Sequence, residues 1–175
     1  MNRRAAPAGS RRLRSNAHPR KVGEINKETT VINNVLIPTD GSECATAALE
    51  RGVSLAADLK AKVTFLMVRE PFRMLSAESA QIERVKSEFT QYETDRARGV
   101  LERATAIAAK AGVACAALQV EHARPYEAII EAARKCEADI IAMGSHGLGG
   151  VRAVVLGSVT QKVLTHCLIP VLVYR

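Results

Sequence analysis

Residues 139–161 read DIIAMGSHGLGGVRAVVLGSVTQ. An apolar run, Asp139-Ile-Ile-Ala-Met143, leads straight into a stretch holding Gly144, Gly147, Gly149, Gly150 and Gly157, five of the chain's eleven glycines. The segment SVTQKVLTHC that follows has helical character. Glycine supplies unusual backbone angles or lets another group approach the main chain closely. Strand, glycine loop and helix in that order predict either a tight turn or a cradle for an anion.

Working outward, the same alternation repeats along the chain. VINNVLIPTD (31–40) predicts a first strand ending at Pro38-Thr39-Asp40. GSECATAALERGVSLAADLKA (41–61) predicts a helix with Ser42 as N-cap and Ala45, Leu49, Val53 and Ala56 at helical spacing. KVTFLMV (62–68) is a second strand. A long helix is expected from about Ser79 to Lys110, with Gly112 placed to end it. VACAALQV (113–120) is the third strand, and a helix with Pro125 in its first turn follows. DIIAM is the fourth strand and IPVLVY (169–174) the fifth. Strict alternation predicts an α/β fold with helices on both faces of a parallel sheet. The unbroken apolar runs predict strands buried on both sides. Right-handed crossovers leave few topologies, of which a single doubly wound domain with five parallel strands in order 3-2-1-4-5 is expected.

With that order, ligands bind beyond the carboxyl ends of the first and fourth strands, where strand order reverses. Asp40 and the glycine loop face each other there. A GxxxxGK[ST] P-loop is absent, and the first strand–helix turn lacks GxGxxG. Gly144, Gly147 and Gly157-Ser158 instead give G-x2-G-x9-G-[ST]. The first pair can point N–H groups at an anion, and Gly157-Ser158 opens a helix whose free N–H groups and dipole favour one. The Ser158 hydroxyl adds a donor. An ionised Asp40 only accepts, so it suits ribose hydroxyls or an amino group better than phosphate.

VLIPTDGS, MGSHG, LGSVTQKVL and IPVLVY, in this order from Asn33 onward, resemble the universal stress proteins, and the glycine spacing resembles the ATP-binding signature of that family's nucleotide-binding branch. The resemblance implies a Rossmann-like fold of the adenine nucleotide α hydrolase-like kind, a homodimer paired through Ile169–Tyr174, and ATP or AMP as ligand, with Mg²⁺ arriving with the ATP. It implies that Pro38, Thr39 and Asp40 meet the adenosine part and that the Val68 backbone meets adenine. Met143, Gly144, Ser145, His146, Gly147, Gly157, Ser158 and Val159 are then expected to line the pocket and hold ribose and phosphates. Leu148 stands where many relatives carry Arg, which removes one phosphate-side cation.

Composition sets the remaining bounds. The chain has 175 residues, 47% hydrophobic and 25% charged, with 3% aromatic and no Trp. Aliphatic side chains must build the core, and base-stacking aromatic platforms are not on offer. The +7 charge is local: seven of the 25 Lys and Arg lie in residues 1–23, which hold no acid, leaving 18 cations against 18 acids. Residues 1–30 are expected to form a disordered basic tail before the domain at 31–175. The tail's alternatives are a transit peptide or an arm docking nucleic acid. Cys44, Cys115, Cys136 and Cys167 show no CxxC or metal-ligand spacing and read as reduced, mostly core thiols. No apolar run spans a bilayer, so a cytoplasmic protein with no membrane contact is expected.

No catalytic residue is assigned. His146 is expected to be structural or exposed, His166 to interact with its helix's C-terminus, Tyr126 to pack, and the helix face around Asp95-Arg96 and Glu102-Arg103 to be solvated. The function expected is a nucleotide-dependent sensor or adaptor in stress response. The alternatives are a slow ATPase or a protein that phosphorylates itself on Ser158 or Thr160.

Overall fold

The computed structural model describes residues 32–72, 79–147 and 156–175. The expected basic tail and Leu148 lie outside the described residues. Elements follow in the order β1 Asn34–Pro38, α1 Glu43–Leu59, β2 Lys62–Arg69, α2 Ser79–Lys110, β3 Cys115–Glu121, α3 Pro125–Lys135, β4 Ile140–Gly144, α4 Ser158–His166 and β5 Val171–Tyr174. The five strands form one all-parallel sheet in order β3-β2-β1-β4-β5. This is the doubly wound α/β fold that the alternation predicts.

Alternate residues of a strand face opposite sides, and the two sides carry separate cores. Val35, Ile37, Val63, Phe65, Met67 and Ala142 pack with α1 and α2, against Leu49, Val53, Ala97, Val100 and Ala104 among others. Leu36, Leu66, Ile141 and Met143 pack with α3 and α4, against Ile129, Ala133 and Val163. Phe65, Leu36, Ile37 and Ile141 are fully buried. Short polar devices fix the ends. Ser42 caps α1 by accepting the Ala45 N–H at 3.2 Å, as its sequence position predicts. Past α2, Gly112 takes a φ of +69°, the left-handed geometry that ends helices.

Two expectations are corrected. The third strand is not buried on both faces: β3 is an edge strand exposed along nearly all its length, because α2 and α3 cover it incompletely and nothing pairs with its outer side among the described residues. The thiols are core residues only in part: Cys136 and Cys167 pack at the margin of the α3–α4 core. Cys115 is exposed on that edge, while Cys44, Cys136 and Cys167 are only half-buried; all four are free. Among the described residues no helix is long and apolar enough to cross a membrane.

Candidate functional site

Sheet order reverses between β1 and β4, and at their carboxyl ends lies a cavity of about 610 Å³. That volume is in the range of small-molecule sites. Its floor comes from the ends of β1, β2 and β4, one wall from α2, and the other from α3 and the start of α4. Among the charged groups that line it are Asp40, Glu70, Glu93 and Arg96.

The β1–α1 turn positions Asp40. Its Oδ1 accepts the Ser42 N–H at 2.9 Å, which aims the rest of the carboxylate across the crevice toward Gly147. No Cβ fits on Gly147 because Asp40 Oδ2 occupies the space one would need. Gly144 and Gly157 are tight but less so. A side chain on Gly144 would come within 3.2 Å of the Cys44 carbonyl oxygen and Sγ, and one on Gly157 within 3.2 Å of the Ser145 carbonyl oxygen. Gly41 holds a φ of +80° against Val100, so the turn bearing Asp40 is pressed onto α2.

In the same cavity lining, α4 begins at Ser158 with Gly157 as its N-cap. Glycine has no side chain to accept an N–H, and no side-chain cap is made. The first turn of any helix leaves N–H donors without intrahelical partners, and Ser158, Val159 and Thr160 all line the cavity. Three hydrogen bonds hold this end in place. The Gly157 N–H donates to the Ser145 carbonyl at 2.7 Å, the Ser145 N–H donates to the Tyr174 carbonyl at 2.8 Å, and the buried Thr160 hydroxyl donates to the Gly144 carbonyl at 3.0 Å.

Of the residues expected at the site, Pro38, Thr39, Asp40, Val68, Met143, Gly144, His146, Gly147, Gly157, Ser158 and Val159 line the cavity. Ser145 does not. It is buried behind the wall, its hydroxyl 2.9 Å from His146 Nδ1 and 3.8 Å from Cys44 Sγ. His146 therefore has a partner that its sequence position did not reveal. His166 Nδ1 lies 2.8 Å from the Lys162 carbonyl at the end of α4. Tyr126 packs its ring against His166 and donates its hydroxyl to Glu127 at 2.8 Å, which raises its pKa above the ordinary value.

The solvated reading of the Asp95-Arg96 face is corrected. Asp95 is exposed and pairs with Arg98, but Arg96 turns inward, lines the cavity and donates to the Asp40 carbonyl at 3.0 Å. Phe89 and Glu93 line the cavity beside it. Sequence reading missed all three. Their spacing with the buried Val100, at 89, 93, 96 and 100, is one helix face, and that was the available signal.

The profile of the universal stress protein family matches residues 32–175. The chain belongs to the universal stress protein family. It is 31% identical over 153 residues to universal stress protein MJ0531 of Methanocaldococcus jannaschii, covering 86% of each chain. Among solved structures, universal stress protein UspA from Lactobacillus plantarum superposes with a TM-score of 0.71 at 25% identity, over 82% of this chain and 98% of that one. A universal stress protein solved in complex with cAMP shares the fold, with a TM-score of 0.62 at 24% identity over 83% of this chain and 98% of that one. Both solved structures share the fold that brings Asp40 to the glycine loop here.

Proposed function

We propose that this universal stress protein binds an adenine nucleotide, ATP or AMP, in the cavity at the β1–β4 reversal, and that it works as a nucleotide-dependent sensor or adaptor in stress response. One observation carries the reading: the glycine-capped start of α4 and an acceptor, Asp40, line one cavity of nucleotide size. An N-terminus without a side-chain cap suits phosphate. A carboxylate suits the donors of ribose and adenine. Pro38, Thr39, Asp40 and Val68 are assigned to the adenosine part. Met143, Gly144, His146, Gly147, Gly157, Ser158 and Val159 are assigned to ribose and phosphates. A relative of this fold in complex with cAMP agrees with an adenine ligand. Mg²⁺ would enter as the counterion of ATP.

The domain is assigned to residues 31–175 and a basic tail to residues 1–30. Pairing of β5 with its twin across a two-fold axis would protect an edge strand, and the neighbouring Leu168 is 95% exposed. A homodimer through this edge is the proposed assembly. Sedimentation across a dilution series checks it; a mass that stays monomeric at every concentration refutes it.

A second reading, self-phosphorylation, is favoured at Ser158 over Thr160. Ser158 is exposed at the cavity, whereas the Thr160 hydroxyl is buried and committed to Gly144. Titration calorimetry of the nucleotide-stripped protein with ATP, AMP and GTP, with and without Mg²⁺, tests the primary reading. Micromolar binding, about −8 kcal/mol, with preference for adenine is expected. No heat with any adenine nucleotide would refute it.

A further inference from the structure

The α2 wall contributes a polar pair to the cavity, Glu93 and Arg96, one helical turn apart. Their roles differ. Arg96 Nη2 donates to the Asp40 carbonyl at 3.0 Å, so the guanidinium is anchored to the β1–α1 turn. Its second contact, from Nη1 to Glu93 Oε2, is longer at 3.4 Å and is the one hydrogen bond that Glu93 makes among the described residues. The Glu93 side chain is only 18% exposed. An ionised carboxylate has two oxygens and about four acceptor sites, so Glu93 keeps acceptor capacity open to the cavity that a ligand donor can take up. The same cavity is lined by Met67, Val68 and Phe89, by the carboxylate of Glu70, and on its other wall by Ile129. A planar base fits such walls, and a donor on its edge or on the sugar would meet a carboxylate there.

We infer that Glu93 is a specificity-determining residue of the cavity, accepting a hydrogen bond from an N–H or O–H donor of the bound nucleoside. This rests on the adenine-nucleotide reading of the site. Arg96 is a positioning residue. By donating to the Asp40 carbonyl and to Glu93, it ties the α2 wall to the β1–α1 turn that carries Asp40. The donor is either the base amino group or a ribose hydroxyl. Both are the same chemistry at the carboxylate, and separate analogues tell them apart.

The test uses uncharged ligands, so that repulsion between carboxylate and phosphate does not intrude. Calorimetry compares adenosine with purine riboside, which lacks the amino group, and with 2′-deoxyadenosine and 3′-deoxyadenosine. The proteins are the wild type, Glu93→Gln and Glu93→Leu, with thermal midpoints confirming that each is folded. A hydrogen bond to a charged group gives about 10- to 100-fold discrimination. The wild type is expected to prefer adenosine by that factor over one class of analogue, and the variants to lose most of that preference. A collapse confined to purine riboside places Glu93 on the base; a collapse confined to a deoxy analogue places it on the sugar. Selectivity on every arm that is absent in the wild type or unchanged in both variants overturns the inference, while AMP binding by the same proteins leaves the nucleotide reading standing. Wild-type protein that binds neither adenosine nor AMP overturns both.

Discussion

The carboxylate of Asp40 occupies the space that a Cβ on Gly147 would need, bringing the β1–α1 turn against the loop after β4. The two residues are far apart in sequence and come together because β1 and β4 are neighbours in the sheet. A side chain at 147 must displace the carboxylate. Gly147→Ala is therefore expected to weaken nucleotide binding at least about tenfold, by analogy with the loss of one charge-assisted hydrogen bond. In the Asp40→Ala background the same substitution should cost little more. Calorimetry on the double-mutant cycle checks this, and independent, additive losses would show that the two sites are not coupled.

Gly41 is predicted to resist replacement for a backbone reason and a packing reason together. At φ +80° a side chain is strained, and its Cβ would lie 2.8 Å from Val100 Cγ2. Gly41→Ala should lower stability by about 1–3 kcal/mol. Val100→Ala removes the clash but not the strain, so the double variant should recover only part of the loss relative to Val100→Ala alone. Urea unfolding measures both.

Thr160→Val keeps the shape of a buried side chain and deletes the hydroxyl that donates to the Gly144 carbonyl. A buried carbonyl deprived of its donor costs about 1–3 kcal/mol. The loss should appear as a lower midpoint in urea with an unchanged slope.

Burial raises the pKa of Tyr174 above the ordinary tyrosine value near 10, with the nearby Arg51 opposing the shift. The folded state thus disfavours the phenolate. Its contribution to stability is complete below about pH 10, where both states are protonated, and is lost as pH rises through the raised folded value. Tyr174→Phe should flatten that alkaline decline. Thermal melts of both proteins from pH 8 to pH 11 would reveal it, and parallel curves would contradict it.

How far the residues announced this arrangement differs from element to element. Strand order was legible because strict alternation with apolar runs permits few sheets, and Ser42, Gly112 and Gly157 each mark a helix end by local chemistry. The two faces of the crevice were legible too, since Asp40 and the glycine loop both follow strands. The α2 wall was not. Phe89, Glu93 and Arg96 sit in a helix whose charged composition reads as solvated, and only the tertiary fold brings Arg96 onto the Asp40 carbonyl. Likewise CAALQ in β3 reads as buried from its composition, but small side chains on an edge strand remain open to water because the flanking helices cover them only in part. Ser145 was mistaken in place because alternation at the end of β4 turns it behind the wall, toward Cys44 and His146.

The glycine cap of α4 has one further consequence. A helix that begins on a residue without a side-chain acceptor starts its hydrogen-bond ladder unfinished. An anion seated there would supply the missing terminus, making the guest a structural part of the opening turn. The amide protons of Ser158, Val159 and Thr160 should then exchange with solvent more slowly once ligand is bound, while those near the centre of β1, already deep in the sheet, keep their rates. Occupancy would be written into the protein as a local gain of order at one helix end, beside β5 at the sheet edge.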